Sequence, residues 1–267
     1  MIISHSHRFI LVKTRKTAGS SVELALSPLL GPGDLATPLR PEEEAQRVAP
    51  EGLRVENPLL FTRYGFPWRL KTHAPLWLAH DLIGRGADEF RVVSLCRNPW
   101  DKAVSHFFWS RRDQGVRDLD FDTQRQRFIA FTRRKGPRRW YDRLTGRMPP
   151  KALDGNYRLY LLDGTPRLDF VIRYERLEAD LAELGRWLGT DNAPTLQGVT
   201  AKTGLRPRAK RHWSEYYDAA TRDLVAEHSR GEIELFGYDF LGEATPHGPF
   251  LNIVGDRGAR TSTGGPG

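Results

Sequence analysis

The sequence predicts an α/β protein whose mainly parallel central sheet is flanked by helices. Three short apolar runs support this prediction: F-I-L-V at residues 9–12, V-V-S-L-C at 92–96 and F-V-I at 170–172. Each run is nearly free of polar side chains, as are the strands of a parallel sheet that is covered on both faces. Each is followed by polar residues and then by apolar residues at helical spacing, an alternation typical of the α/β class.

The boundaries of the elements follow from these runs and from the residues that interrupt them. Strands are predicted at residues 8–14, 68–73, 90–96 and 168–174. Helices are predicted at residues 20–26, 74–84, 99–109, 121–135, 175–188, 214–228 and 233–236. Ser20 or Ser21 is expected to cap the first helix, because a short hydroxyl side chain can accept from the free amides there.

Composition indicates one large folded domain in residues 1–243. Of the 267 residues, 39% are hydrophobic, which is enough for a substantial core. Residues 32–66 are rich in Pro, Gly and charge and are expected to form a loop or an insertion. Residues 244–267 are expected to be a disordered tail.

The N-terminal region and the single cysteine bear on location. No apolar run is long enough to span a bilayer, and no apolar stretch of signal-peptide type begins the chain. Cys96 stands alone, so no intramolecular disulfide can form. We therefore expect a cytoplasmic protein without a transmembrane segment.

Positive charge is concentrated in one part of the chain. The net charge is +8, and residues 111–151 hold 13 Lys and Arg against 5 Asp and Glu. This segment is expected to be helical and to lie on the acceptor side of the site, where it would attract an anionic ligand. A solvated arginine-rich face explains the same composition without any ligand.

Polar clusters follow three of the predicted strands, at residues 13–21, 71–73 and 97–105. In α/β folds, ligands bind beyond the carboxyl ends of the strands. We therefore expect these three clusters to meet at one site, although no single cluster is specific.

The first cluster, K-T-A-G-S-S at residues 16–21, has the composition of an anion-binding loop. Gly19 allows the backbone to approach a ligand closely, and the amides at the start of the following helix favour an anion. Lys16 adds a positive charge, and Thr17, Ser20 and Ser21 add hydroxyl groups. An ordinary turn between a strand and a helix, with a solvated lysine, is the alternative.

The other two clusters supply a base and more cations. Arg97 can hold a phosphate through parallel N–H bonds, and Ser105 lies two turns into the next helix. A helix-entry salt bridge between Arg97 and Asp101 is the simpler interpretation of the same residues. Lys71 and His73, two residues apart on a predicted strand, would share one face, and histidine titrates near neutral pH.

These clusters, in this order, resemble the sulfotransferases that use 3'-phosphoadenosine 5'-phosphosulfate (PAPS), in particular their bacterial and carbohydrate-type branch. The matching segments are K-T-A-G-S-S, K-T-H-A-P at 71–75 and R-N-P-W-D-K-A-V-S at 97–105. D-F-V-I-R-Y-E-R-L at 169–177 and two segments at 212–225 and 233–240 extend the likeness over nearly the whole chain. The resemblance implies the P-loop-like sulfotransferase fold.

It also implies roles for particular residues. Lys16 would stabilise the leaving group, and the backbone and side chains of Thr17, Ala18, Gly19, Ser20 and Ser21 would hold the 5'-phosphate. Arg97 and Ser105 would bind the 3'-phosphate. His73, assisted by Lys71, would take the proton from an acceptor hydroxyl or amine; a carboxylate such as Glu23 is an alternative base. The acceptor would be a hydroxyl compound, with an anionic glycan or other carbohydrate as one candidate.

The chain departs from the family pattern in two places. No Trp follows the loop to stack on adenine, since Ser21 and Val22 occupy that region. The basic stretch at 202–213 cannot be aligned residue by residue; Arg208 and Lys210 are candidates for the 3'-phosphate, and a solvated loop is the alternative. No carboxylate or His/Cys cluster suggests a metal, so PAPS is the only expected cofactor, with PAP as its product.

Two other functions remain open from the sequence. A P-loop kinase shares the fold plan, but the G-x-x-x-x-G-K-[ST] pattern is missing. A non-catalytic binder of RNA or another polyanion would use residues 111–151 and would need neither Lys16 nor His73. We expect no nucleic-acid partner.

Overall fold

The computed structural model describes residues 1–133, 155–199, 206–207 and 211–241. The central sheet has six strands in the order β10-β7-β2-β1-β3-β4. Two small two-stranded sheets, β5–β6 and β8–β9, lie outside it. The strands are β1 Ile2–Ser4, β2 Phe9–Val12, β3 Leu35–Ala36, β4 Arg54–Val55, β5 Leu59–Phe61, β6 Pro67–Arg69, β7 Arg91–Cys96, β8 Leu161–Leu162, β9 Thr165–Pro166 and β10 Phe170–Arg173.

Eight α-helices fall within the described residues. They are α1 Gly19–Leu26, α2 Pro41–Glu44, α3 Leu76–Ile83, α4 Pro99–Ser110, α5 Phe121–Arg133, α6 Leu177–Leu188, α7 Ala219–His228 and α8 Arg230–Phe236. The α/β class expected from the sequence is therefore confirmed. The predicted strands at 8–14, 90–96 and 168–174 correspond to β2, β7 and β10.

The central sheet is mixed. The strands β10, β7 and β2 run parallel to one another, with Val12 opposite Ser94 and Arg173 opposite Cys96. Strand β1 pairs antiparallel with both β2 and β3, and β4 adds to β3 in parallel. The N-terminal segment M-I-I-S was not predicted as a strand. It forms one because its side chains are buried between β2 and β3.

Residues 32–66, expected to be a loop, contain more structure than predicted. They supply strand β3 and the edge strand β4 of the central sheet, the short helix α2 and the strand β5. Strands of two or three residues are too short for side-chain periodicity to reveal them. Strand β3 forms by pairing with β1, and β5 by pairing with β6. Such pairing depends on tertiary structure and cannot be predicted from composition.

The predicted strand at 68–73 was wrong. Strand β6 ends at Arg69, is fully exposed and pairs only with β5. Lys71 to Ala74 then forms a turn, with the Ala74 amide donating to the Lys71 carbonyl at 2.9 Å. Lys71 and His73 therefore do not share the face of a strand.

Both faces of the sheet are buried, which explains why its central strands are continuously apolar. Alternate side chains enter opposite layers. Ile10, Val12 and Val92 belong to one core. Leu11 and Val93 belong to the other. The first core is covered by α3, α4, α5, α7 and α8, and the second by α1 and α6.

Most of the predicted helices are present in the described residues, but the cap of α1 and the start of α7 differ from the prediction. Asn98 caps α4 by accepting from the amides of Trp100 and Asp101 at 3.0 and 3.3 Å. Helix α1 has no serine cap; its N-cap residue is Ala18 in the left-handed region. The helix predicted from residue 214 begins at Ala219, because Asp218 caps it there.

Several expectations fall on residues that the structure does not describe. Residues 134–151 of the basic segment, Arg208, Lys210 and the tail from 244 lie outside the described residues. No helix in the described ranges is long and apolar enough to cross a membrane. A cytoplasmic location remains a prediction from the sequence.

A buried charge cluster lies beneath the first polar loop. Glu23 on α1 is fully buried and accepts from Lys13 Nζ at 2.9 Å and from the Met1 amino group at 3.3 Å. Arg47 Nη2 donates to its other oxygen at 3.2 Å. Burial alone would raise the pKa of Glu23, but these basic groups outweigh it and hold that pKa below its usual value.

Replacing Glu23 by Gln should destabilise the protein by roughly 3–5 kcal/mol, because Lys13 would stay buried without its carboxylate. The free energy of unfolding in urea measures this. Glu42→Gln, an exposed glutamate on α2, is the matched control and should change stability by less than about 0.5 kcal/mol. The double variant Lys13→Met/Glu23→Leu should recover much of the loss. A single-variant cost below about 1 kcal/mol would contradict this account.

Candidate nucleotide and acceptor site

The loop at 13–21 joins β2 to α1 and has an uncommon backbone. Lys16 and Ala18 both have positive φ, 64° and 63°. This conformation is strained for residues that carry a Cβ, typically by about 1–3 kcal/mol. Loops with alternating left-handed residues direct successive amides into a concave anion site. The free amides of the first turn of α1 add to it.

Gly19 is required by packing rather than by its φ angle. A Cβ at this position would lie 2.6 Å from Cγ of Lys13. The Lys13 side chain passes beneath the loop to reach Glu23, so the loop lies directly on its aliphatic stem. The sequence suggested that Gly19 allows a ligand to approach the backbone closely. In the structure, the group that approaches Gly19 closely is the Lys13 side chain.

Three polar groups hold the loop from behind. The Thr14 hydroxyl donates to the Leu95 carbonyl at 2.7 Å, tying the loop to β7. The Thr17 hydroxyl is fully buried and donates to the Thr14 carbonyl at 3.2 Å. Asn156 accepts from the Arg15 amide at 2.8 Å and donates to the Arg15 carbonyl at 3.0 Å. Thr17 was expected to offer its hydroxyl to a ligand, but this side chain supports the loop instead.

His73 reaches the loop despite the missing strand. Its Nδ1 lies 2.8 Å from the Lys13 carbonyl oxygen. A carbonyl oxygen only accepts, so Nδ1 carries the proton and Nε2 keeps its lone pair. Burial lowers the pKa of His73 to about 4, and the neighbouring charges of Lys13 and Arg15 act in the same direction. The ring is therefore neutral at pH 7.

Lys71 and His73 line one cleft of about 680 Å³, together with Arg15 and Trp68. The cleft lies between the β5–β6 hairpin and the polar loop. The two residues predicted to cooperate are thus brought together by a turn rather than by strand periodicity. Glu23, the alternative base, has no exposed surface and a lowered pKa.

Arg97 reaches the same loop from β7. Its Nη1 donates to the Lys16 carbonyl at 3.1 Å. Its Nε and Nη2 bind the Asp101 carboxylate, both at 2.7 Å. The salt bridge considered as the simpler alternative is therefore present, and it orients Arg97 toward the loop. The convergence of residues 13–21 and 97–105 follows from the parallel pairing of β2 and β7.

Ser105 and Lys16 lie near the same end of the site. Ser105 is half-buried on α4, and its hydroxyl makes no hydrogen bond within the described residues. Lys16 Nζ lies 5.0 Å from the centre of the Trp109 ring, one turn further along that helix. Ser20 is buried and Ser21 is half-buried in the first turn of α1.

Sequence reasoning missed one contact of Arg97 and one contact of its partner Asp101. The Tyr174 ring packs 3.7 Å from its guanidinium carbon, a cation–π contact. Arg206 Nη2 donates to the Asp101 carbonyl at 2.8 Å and also binds its carboxylate. Tyr174 lies in the quoted R-Y-E segment, and Arg206 lies in the basic stretch from which Arg208 and Lys210 were chosen. Composition alone could not rank three neighbouring cations.

Comparison with known proteins adds no assignment. No family model matches the chain, and a search of curated proteins finds no match. Within the described ranges, no group of three or more His, Cys, Asp or Glu side chains is arranged to hold a metal ion.

Stability should depend on pH through His73. Below its ordinary pKa of 6.5 the unfolded chain takes up a proton that the folded protein accepts only near pH 4. Stability is therefore lost as pH falls from about 6.5 to 4. Urea unfolding should show that the free energy of unfolding falls less between pH 7 and pH 5 for His73→Gln than for the unchanged protein. His228→Gln, on α7, is the control; an equal loss in the His73 variant would refute the assignment.

Proposed function

We propose that this protein is a PAPS-dependent sulfotransferase with a P-loop-like fold. One observation carries the proposal: two distant segments contact backbone carbonyls of one anion-binding loop. His73 does so at Lys13, at 2.8 Å, and Arg97 does so at Lys16, at 3.1 Å. A possible base and a phosphate-binding guanidinium thus flank the same few residues.

The donors present fit a nucleotide with phosphates at two positions. The loop amides and Lys16 would hold the 5' side, and Arg97 with Ser105 the 3'-phosphate. Arg97 makes three of its contacts to Asp101 and Lys16. A guanidinium has five N–H donors, so some remain for a ligand. The Ser105 hydroxyl is a further donor without a partner among the described residues.

His73 would activate the acceptor. Its neutral ring, with Nδ1 bonded to the Lys13 carbonyl, leaves Nε2 to take the proton of an acceptor hydroxyl or amine. The hydrogen bond at Nδ1 also stabilises the imidazolium that forms. Because the pKa of His73 is low, the ring stays unprotonated down to mildly acidic pH, but it is also a weaker base than an exposed histidine.

PAPS, when bound, supplies a sulfuryl group already attached to a phosphate leaving group. The acceptor oxygen would form its bond to sulfur as the bond between sulfur and the bridging phosphate oxygen breaks, and His73 would take the acceptor proton. Lys16 would neutralise the charge that develops on that bridging oxygen. Its ammonium lies over Trp109 in this structure, so it would turn from that ring to the ligand.

The alternatives explain less of the site. A nucleotide kinase loop would carry the G-x-x-x-x-G-K-[ST] pattern, which residues 13–21 lack. A polyanion binder has no use for a neutral buried histidine held against the loop. The Ser105 hydroxyl, which has no partner among the described residues, would find one in a nucleotide that carries a 3'-phosphate.

Calorimetric titration without Mg²⁺ tests the proposal. PAP should bind more tightly than AMP, which differs only by the 3'-phosphate. Ser105→Ala should weaken PAP binding about tenfold by removing one hydrogen bond to a charged group, and leave AMP binding unchanged. Ser110→Ala, on the same helix, is the matched control. Arg97→Ala should have a larger effect on PAP.

Three outcomes would contradict the proposal. Equal binding of PAP and AMP would remove the 3'-phosphate site. Preferential, Mg²⁺-dependent binding of ADP would favour a kinase. Binding of RNA with a steep salt dependence, and of neither nucleotide, would favour a polyanion-binding protein.

A further inference from the structure

The cleft beside His73 has the size of a small-molecule site. Its volume of about 680 Å³ lies within the range of pockets that hold small organic ligands. The described residues that line it include Arg15, Asn57, Trp68, Arg69, Lys71 and His73. It opens next to the loop, which contributes Arg15 to its lining.

The lining is cationic. Arg15, Arg69 and Lys71 are exposed, and no Asp or Glu is among the described lining residues. None of the three forms an ion pair within the described part of the chain; Arg69 donates only to the Asn57 carbonyl, at 2.9 Å. Three cations without a countercharge create a potential that attracts an anionic group.

The cleft also offers an unused acceptor. Asn57 Oδ1 is buried and has no hydrogen-bond partner among the described residues. Buried polar atoms are nearly always paired, so a donor is expected at this point. A donor group of a ligand, or a water molecule bound with it, would satisfy this oxygen.

An exposed apolar surface borders the cleft. Leu59 pairs with Arg69, and Phe61 pairs with Pro67, so both apolar side chains share a face with cleft-lining residues. On this face Phe61 is 76% exposed, whereas Trp68, which pairs with Leu60, lies on the other face of the hairpin and is 44% exposed. Exposed apolar side chains clustered in this way mark binding surfaces more often than isolated ones do.

The hairpin that carries this surface is anchored to α3. Trp77 packs edge-on against Tyr64 and Trp68, with ring centres 5.2 and 5.9 Å apart. Arg63 donates through its amide to the Asp81 carboxylate at 2.9 Å. Trp68 is therefore held in place before any ligand arrives, which lowers the entropic cost of binding.

We propose that the acceptor bound in this cleft is an aromatic hydroxy acid. Its acidic group would lie among Arg15, Arg69 and Lys71, its ring against Trp68, and its hydroxyl within reach of His73. The proposal rests on the sulfotransferase function above and adds the class of acceptor. A free saccharide fits the cations and Asn57 but offers no aromatic ring to Trp68.

Calorimetry with 6-hydroxy-2-naphthoate, in the presence of saturating PAP, tests this proposal. The neutral 2-naphthol has the same ring system and hydroxyl without the acid, and glucuronate has the acid without the aromatic ring. The naphthoate should bind at least about tenfold more tightly than 2-naphthol, which lacks the charge-assisted contacts of the acid. It should also bind at least about tenfold more tightly than glucuronate, which lacks the ring contact with Trp68. Adding salt should weaken its binding.

Variants locate the binding. Arg69→Gln should weaken naphthoate binding about tenfold, and Trp68→Leu should do the same for its ring contact. Arg85→Gln, an exposed arginine outside the cleft lining, is the control for Arg69 and should bind like the unchanged protein. PAP binding, measured separately, should be unaffected by Arg69→Gln.

The outcomes separate this inference from the proposed function. Three results would overturn this inference and leave the proposed function intact, provided that PAP binds normally. They are no binding of the naphthoate, equal binding of 2-naphthol, and tighter binding of glucuronate. Loss of naphthoate binding in Arg85→Gln as in Arg69→Gln would also overturn it. Naphthoate binding with the expected variant pattern, but no PAP binding, would support the cleft and contradict the sulfotransferase.

Discussion

The contact between Lys13 and Glu23 determines the form of the candidate site. A buried carboxylate needs basic partners, and Lys13 supplies one by crossing beneath the loop at 2.9 Å from Glu23. The loop must then pass over the lysine stem, which leaves room only for glycine at position 19. The strained conformations of Lys16 and Ala18 lie on either side of Thr17, whose hydroxyl is fixed from behind. The backbone that is proposed to bind an anion thus rests on a buried ion pair that a ligand cannot contact.

The two flanks of the site depend on this loop rather than on each other. His73 and Arg97 both bind backbone carbonyls of the loop, so each is oriented by main-chain geometry. Asp101 orients Arg97 from the other side, and the basic groups of Arg97 and Arg206 hold the pKa of Asp101 low against the effect of burial. A substitution that moved the loop would therefore displace together His73, the proposed base, and Arg97, the proposed phosphate ligand.

Much of this arrangement could be predicted from the sequence, for a physical reason. Strands β2 and β7 are buried on both faces, and their continuous apolar runs gave the α/β class and placed residues 13–21 and 97–105 side by side. Shorter pieces could not be predicted. Strands β3 and β4 have two residues each, and β6 was misplaced because W-R-L-K-T-H has strand-like composition but an exposed hairpin setting. The roles of side chains were less predictable still. The Thr17 side chain faces inward. In the basic stretch at 202–213, the candidates chosen from the sequence were Arg208 and Lys210, but the residue that contacts Asp101 is Arg206.

Hydrogen–deuterium exchange with and without PAP tests the central claim most directly, because it reports where a nucleotide binds. The account predicts slower exchange at residues 13–26, where the loop meets α1, and at the start of α4 near Arg97. Exchange in the β5–β6 hairpin should be unchanged by PAP alone, since that surface is assigned to the acceptor. Protection confined to the hairpin, or no protection at the loop under saturating PAP, would contradict the account.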